Sequence, residues 1–418
     1  LSGRYKEMIV VGVDTQNRFI TSGFASFKSL SDEVCRPYDA SRCGLNLGEA
    51  CGAILLTRNR LSDSDVAISG GAITDDANHI SGPSRTGDGL YFAMRRAMDE
   101  AGVLPQQLDM LQMHGTATAY NDEMESKAAS LAGLQDVPAQ SLKPYFGHTM
   151  GASGVIETII AAEELKRGVC AGTAGFSELG VPMPLNVSAA NRELGENAVR
   201  HCLKTASGFG GTNAAVALES GDSGDGEVGG LVDIDVRECR EVVIGDGSVK
   251  VDGEVVFADE NADYHAFIRD AFKAGGGQNM KFYKMDDFCK LAYVVADRLL
   301  EGIDFGEEEC GMVLSGRYGC LDTDMKHQQI IDSEGDAGAS PAVFVYTLPN
   351  VAAGEVSIRH HIKGENTWFW SDDRQMRDIR QYAGMMMAAH DLKYCMTGYF
   401  DSIAGKYEAV FKLLERQN

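Results

Sequence analysis

The sequence predicts a mixed α/β protein in two parts. Apolar runs of strand length alternate with stretches of helical periodicity in both halves, the pattern of helices laid on largely buried sheets. Between the halves, Glu219 to Gly230 reads E-S-G-D-S-G-D-G-E-V-G-G, almost without apolar residues. That composition is a flexible linker. It divides the chain into residues 1–218, a linker 219–230 and residues 231–418. At 418 residues the chain is long enough for two or three domains or one large layered core.

In the first part, Glu7 to Asp14 (E-M-I-V-V-G-V-D) is expected to be a strand buried on both faces. Ile54 to Leu56, after the glycine-rich stretch Gly44 to Ala53, is expected to be another. From Gly89, Leu90, Ala93, Met94, Ala97, Met98 and Ala101 fall on one helical face, with Gly102 placed as a C-cap. The chain then rises through Leu108 to Met113 and delivers His114. A helix follows from Asn121, and a third spans Val155 to Lys166 after the small run Gly151 to Gly154. Lys204 to Leu218 reads as a glycine loop entering a last apolar strand.

In the second part, Val242 to Phe257 alternates in strand fashion around D-G dipeptides that suit hairpins. Phe288, Leu291, Ala292, Val295 and Leu299 mark an amphipathic helix. Gly311 to Ser315 and Tyr394 to Phe400 read as strands, and Val351 to Ile358 and Arg374 to Ala389 as helices. Asp372 and Asp373 suit an N-cap and first-turn acid for the last helix. Trp368, Phe369 and Trp370 are expected to fill a core or an interface. Adjacent residues on a regular element point apart, so His360 and His361 are not expected to form a metal site.

The formal net charge is −23, which repels nucleic acid phosphate and anionic lipid, so neither is an expected partner. No apolar run approaches the roughly 20 residues of a membrane helix. Ten cysteines without paired zinc-ligand spacing read as reduced thiols of a cytoplasmic protein. The chain opens at Leu1 inside what reads as a structural unit, so a preceding segment is expected.

The chemistry concentrates in two stretches, M-H-G-T-A-T-A-Y-N-D-E-M-E from Met113 to Glu125 and S-L-K-P-Y-F-G-H-T-M-G-A-S-G from Ser141 to Gly154. His114 and His148 each end a short apolar or aromatic run and have Gly and Thr close beside them, which presents an imidazole from a strand end into a pocket. With Pro184 to Asn186 (P-L-N) and Gly208 to Asn213 (G-F-G-G-T-N), these motifs follow one another as they do in β-ketoacyl-ACP synthases. Residues 1 to about 220 resemble the C-terminal two-thirds of that family. The second part resembles the family's N-terminal region through K-M-D-D-F at Lys284 to Phe288, Ser340-Pro341 and F-V-Y-T-L-P-N-V-A-A-G-E at Phe344 to Glu355. At the position of the family's nucleophilic cysteine stands Asp373 or its neighbour Asp372, so this part is similar to the chain-length-factor partners of ketosynthases, especially those of aryl polyene and flexirubin-type pathways. The strand Glu7 to Asp14 also recurs as Lys393 to Asp401. That repetition favours part of a ketosynthase fused to a truncated partner over a circular permutant.

The resemblance implies a thiolase-like layered αβαβα fold with a second, truncated thiolase-like unit. It implies an acyltransferase that extends an acyl or polyene chain by decarboxylative condensation with malonyl-ACP, the second part being a partner without a nucleophile. The alternatives are an ordinary fatty-acid elongating ketosynthase and a catalytically inactive scaffold that binds ACP or a partner subunit. In the implied chemistry, two neutral imidazoles donate to the enolate oxygen without a metal. His114 and His148 would be those donors, Lys143 the buried lysine that sets their protonation, and Glu125 its anionic partner. Thr116 and Thr118 would hold the pantetheine arm, and Phe209, between Gly208 and the pair Gly210 and Gly211, would gate the acyl pocket. No cofactor is implied beyond the phosphopantetheine of the ACP. The implied partners are ACP and a ketosynthase-fold subunit, in a homo- or heterodimer, with the nucleophilic cysteine on a segment outside this chain.

Overall fold

The computed structural model describes residues 5–195, 199–221 and 234–417. They form two compact units. The first takes in most of the first half, and the second holds the C-terminal half with two short pieces, Ala77–Ser81 and Phe209–Thr212.

In the first unit, β1 (Glu7–Asp14) pairs antiparallel with β2 (Ala50–Thr57) in a two-stranded sheet. Then follow β3 (Val66–Asp75), α1 (Asp88–Ala101), β4 (Met110–Gln112), α2 (Ala119–Leu131), β5 (Pro138–Gln140), α3 (Ser153–Arg167), β6 (Asn186–Val187), β7 (Arg200–Ser207) and β8 (Thr212–Ser220). Six strands form one sheet in the order β3-β8-β7-β4-β5-β6. β4 runs parallel to both neighbours and is buried at all three positions, so its C-terminal end is a fixed platform in mid-sheet. α1 ends as expected at Gly102, in the left-handed region at φ 65°.

Two expectations change here. β1 is a strand but not a buried one: Ile9, Val11 and Val13 are 69%, 59% and 60% exposed, as is Leu55 of β2 at 55%. Only one face of this sheet packs, since a Cβ on Gly12 would meet Val155 of α3 at 2.9 Å, and alternation turns the odd-numbered residues of β1 outward. Apolar content alone does not separate a strand covered on two faces from one covered on one. The second change concerns the linker. β8 continues through Glu219 and Ser220, while positions 222–233, most of the expected linker, lie outside the described residues.

In the second unit, β9 (Val236–Gly245), β10 (Ser248–Val251) and β11 (Glu254–Ala258) form the expected hairpins. The turn at Asp246-Gly247 has φ of 47° and 66°, and that at Asp252-Gly253 has 49° and 86°. Positive φ at both central residues is the hairpin geometry that D-G favours. α4 (Asp287–Leu299), β12 (Cys310–Gly316), α5 (Asn350–His360), β13 (Asn366–Trp370), α6 (Arg377–Ala389), β14 (Tyr394–Ile403) and β15 (Lys406–Arg416) follow. The seven-stranded sheet has the order β11-β10-β9-β15-β14-β12-β13. α6 starts at Arg377 and not at Arg374. Asp373 accepts from the backbone N–H of Gln375 and Arg377 at 3.0 and 3.2 Å and so closes the preceding turn. Trp368 packs on Phe288 and Phe400 at centroid distances of 5.4 and 5.3 Å, whereas Trp370 is 63% exposed. Among the described residues no helix is long and apolar enough to cross a membrane.

Candidate active site

β4 delivers His114 into a turn that only this local sequence permits. Gly115 has φ 46°, and a Cβ there would lie 2.5 Å from the Cβ of Ser141 and 2.7 Å from the hydroxyl of Tyr38. Two carboxylates from the start of α2 grip the turn. Glu125 Oε1 accepts from the N–H of His114 at 2.9 Å, and Oε2 accepts from the N–H of Gly115 at 2.8 Å and the Tyr38 hydroxyl at 2.7 Å. Asp122 accepts from the N–H groups of Thr116 at 3.1 Å and Tyr38 at 2.7 Å. Both carboxylates are fully buried. Burial raises Asp122 to about 6, opposed by the Tyr38 N–H, and burial together with the Asp122 charge raises Glu125 to about 7.

His148 arrives by a separate route. Gly147, at φ 78°, passes against the backbone of Leu47 and Gly48, and the N–H of His148 donates to the Asn46 carbonyl at 2.7 Å. Its Nδ1 accepts from the N–H of Met150 at 3.2 Å and lies 3.1 Å from the Ser153 hydroxyl. A backbone N–H can only donate, so the ring proton sits on Nε2. The same holds for His114, whose Nδ1 lies 3.3 Å from the Lys143 ammonium. The two rings meet edge to face, with centroids 5.0 Å apart and planes at 83°. Burial, followed by the Lys143 charge, holds His114 well below the usual imidazole range and lowers His148 to about 3. The pair is therefore two uncharged rings, each with an Nε2–H donor.

Lys143 is 1% exposed. Its three ammonium protons face three acceptors: Glu157 Oε1 at 2.8 Å, the His114 carbonyl at 2.6 Å and His114 Nδ1. This corrects the expected pairing with Glu125, whose oxygens are taken by the turn it holds. The partner is Glu157, fully buried on α3, and its Oε2 lies 3.0 Å from Lys204 on β7. Burial opposes the ionisation of Glu157, but the two lysines outweigh it and hold the carboxyl below its usual range. Glu157 and Lys204 escape motif reasoning, although each leaves a trace. Glu157 follows Ser153 by one helical turn and precedes Ala161 by one, all three buried, and Lys204 sits in a run, Cys202 to Thr205, that is buried throughout. A charge in such a place requires a counter-charge.

The structure also brings the hydroxyls of Thr116 and Thr118 within 2.8 Å of each other beside the His114 turn. Phe209, Gly210 and Gly211 belong to the second compact unit, where the Phe209 carbonyl accepts from Asn350 Nδ2 at 2.7 Å and Gly210 and Gly211 have φ of 90° and 86°. In the first unit, burial raises the thiols of Cys35, Cys170 and Cys202, the opposite of an activated nucleophile.

Comparison with known proteins places this geometry. Residues 66–177, which carry both histidines and Lys143, match the family described as Beta-ketoacyl synthase, C-terminal domain. This segment resembles a ketosynthase C-terminal domain. The chain is 31% identical over 222 residues to the "Putative 3-oxoacyl-[acyl-carrier-protein] synthase, mitochondrial" of Schizosaccharomyces pombe, covering 49% of this chain and 52% of the relative. It is 27% identical over 201 residues to the "Polyketide biosynthesis malonyl-ACP decarboxylase PksF" of Bacillus subtilis, covering 47% of each. The chain thus spans about half the length of the curated relatives it matches. The solved structure "PfaC Keto synthase-Chain length factor" matches 98% of this chain and 55% of its own, with a TM-score of 0.75 at 14% identity. The fold is accordingly the thiolase-like fold of ketosynthases, and all of the matched segment except Ala77–Ser81 lies in the first unit.

Proposed function

We propose that the chain provides the histidine machinery of a β-ketoacyl-ACP synthase, which extends an ACP-bound acyl or polyene chain by decarboxylative condensation with malonyl-ACP. The observation that carries this reading is the tautomer of the pair: Nδ1 is engaged on both rings, so both Nε2–H groups remain as donors. Loss of CO2 from a malonyl thioester leaves its electron pair as an enolate, with negative charge on the thioester oxygen. Two uncharged donors stabilise that oxygen without transferring a full proton to it, which leaves the carbon nucleophilic. The enolate carbon then attacks the acyl thioester held on a cysteine, the new C–C bond forms, and the thiolate departs. In this reading the cysteine lies on a segment outside this chain, the Thr116 and Thr118 hydroxyls bind the pantetheine arm, Phe209 with Gly210 and Gly211 gates the acyl end, and the second unit serves as a partner without a nucleophile.

The test is a complete complex supplied with acyl-ACP and malonyl-ACP and followed by intact-mass spectrometry of the ACP. The expected product is the acyl chain longer by two carbons with a β-keto group, lost in His114→Ala. Failure to form it in a complete, folded complex overturns the reading. With a reductant, a ketoreductase and a dehydratase added, and an enoyl reductase in one arm, turnover sustained on saturated chains would indicate ordinary fatty-acid elongation, and turnover sustained on conjugated ones polyene synthesis. A second reading takes its cue from the relative named as a malonyl-ACP decarboxylase: the same two donors would stabilise the enolate whether it attacks an acyl thioester or is simply protonated on carbon. It predicts acetyl-ACP and CO2 with no elongated product.

A further inference from the structure

Lys204 has no place in the motifs that identify the histidine site, yet it is the second cation on Glu157. It enters from β7, whereas Lys143 comes from the short helix before His148 and Glu157 from α3. All three side chains are at most 3% exposed. The Lys204 ammonium donates to the Thr205 carbonyl at 2.8 Å and keeps an ion-pair contact of 3.0 Å with Glu157 Oε2. Two buried cations sharing one buried carboxylate leave an excess of positive charge, and burying it is costly: burial lowers the pKa of Lys204 from its usual value, opposed by Glu157. A lysine whose task was only to neutralise Glu157 would be redundant, since Lys143 already does so at 2.8 Å.

Resting on the reading above, we propose that Lys204 is a positioning residue of the histidine site. Its ammonium shares Glu157 with Lys143, whose own ammonium touches His114 Nδ1, and the net positive charge left there reinforces burial in keeping both rings uncharged and N–H-donating. The groups facing the pair are Lys143, Glu157, Lys204 and each other, with Glu125, Asp122 and Tyr38 behind the His114 turn. Burial comes first in holding both imidazoles below their usual range and the Lys143 charge second, and the Lys204 charge adds in the same direction. The same charge favours the enolate that forms in front of them.

The test is imidazole titration by NMR on the full chain with labelled histidine, assigned through His114→Gln and His148→Gln. In the unaltered chain both rings are expected to stay neutral down to pH 5, and a midpoint near the ordinary 6.5 for either ring overturns the proposal. Lys204→Met leaves the neutral Lys143–Glu157 pair and is expected to raise at least one midpoint by roughly half a unit or more. Lys204→Arg, which keeps the charge, is expected to retain the original midpoints. Unchanged midpoints in a folded Lys204→Met or Lys204→Gln chain reduce Lys204 to a packing residue and overturn the proposal. The titration needs no turnover, so it separates from the proposed reaction: shifted midpoints without condensation count against the reaction and leave the charge arrangement standing.

Discussion

His114 and His148 come from different loops and meet edge to face at 5.0 Å, each with Nδ1 already engaged and Nε2–H available. Replacing either with alanine removes one of two donors to the same developing charge. Removing one such donor commonly costs about 100- to 1,000-fold in rate. We expect CO2 release from malonyl-ACP, in a complete complex, to fall at least about 100-fold for each variant while circular dichroism remains native.

Glu157 is the hub of the buried charges. Glu157→Gln leaves two buried ammonium groups without a counter-charge, whereas Lys143→Met leaves Glu157 still paired with Lys204. Breaking a buried pair by removing one partner costs about 3–5 kcal/mol. Urea titrations should therefore show a larger loss for Glu157→Gln than for Lys143→Met.

Two buried groups give stability opposite dependences on pH. The folded pKa of Glu125 is raised to about 7, so its contribution is fully present below the unfolded value near 4.3 and is lost as pH rises through about 7. The folded pKa of His148 is lowered to about 3, so its contribution is present above 6.5 and is lost as pH falls toward 3. Relative to the unaltered chain, Glu125→Gln is expected to gain stability between pH 5 and pH 8, and His148→Gln to gain it between pH 6.5 and pH 4. Unfolding free energies at those pH values decide both signs.

Gly115 and Gly12 carry steric predictions. Gly115→Ala places a Cβ 2.5 Å from Ser141 at a positive φ and is expected to cost about 2 kcal/mol or more. Gly12→Ala meets Val155 at 2.9 Å and should destabilise as well. Val11, one residue earlier and 59% exposed, should accept lysine within about 0.5 kcal/mol. A large loss for Val11→Lys would refute the outward orientation of that strand face.

Both histidines were legible because glycines and threonines mark the turns that present them, and turn chemistry is local; Lys143 was legible only through the family resemblance of its motif. The counter-ion was not. Glu125 lies 18 residues before Lys143 and Glu157 14 after it, and only packing decides which carboxylate points at the ammonium. The exposure of β1 was equally hidden, since E-M-I-V-V-G-V-D reads the same whether one face or two are covered. β15, K-Y-E-A-V-F-K-L-L-E-R, escaped because lysine and glutamate interrupt its apolar run, although its inward residues Ala409, Phe411 and Leu413 are fully buried. The hairpin turns were legible, because D-G takes positive φ at low cost.

Tyr38 reaches across 84 residues to Asp122 and 87 to Glu125. A turn anchored by partners so distant in sequence cannot be secured by its own neighbourhood during folding, because the long loop must close first. As the chain leaves the ribosome, His114 acquires its orientation only after α2 has emerged and docked onto a segment made much earlier. Local opening of the Tyr38 loop reverses that step, and hydrogen exchange at His114 and Gly115 should then follow the opening of residues 36–40 rather than that of β4, which delivers them.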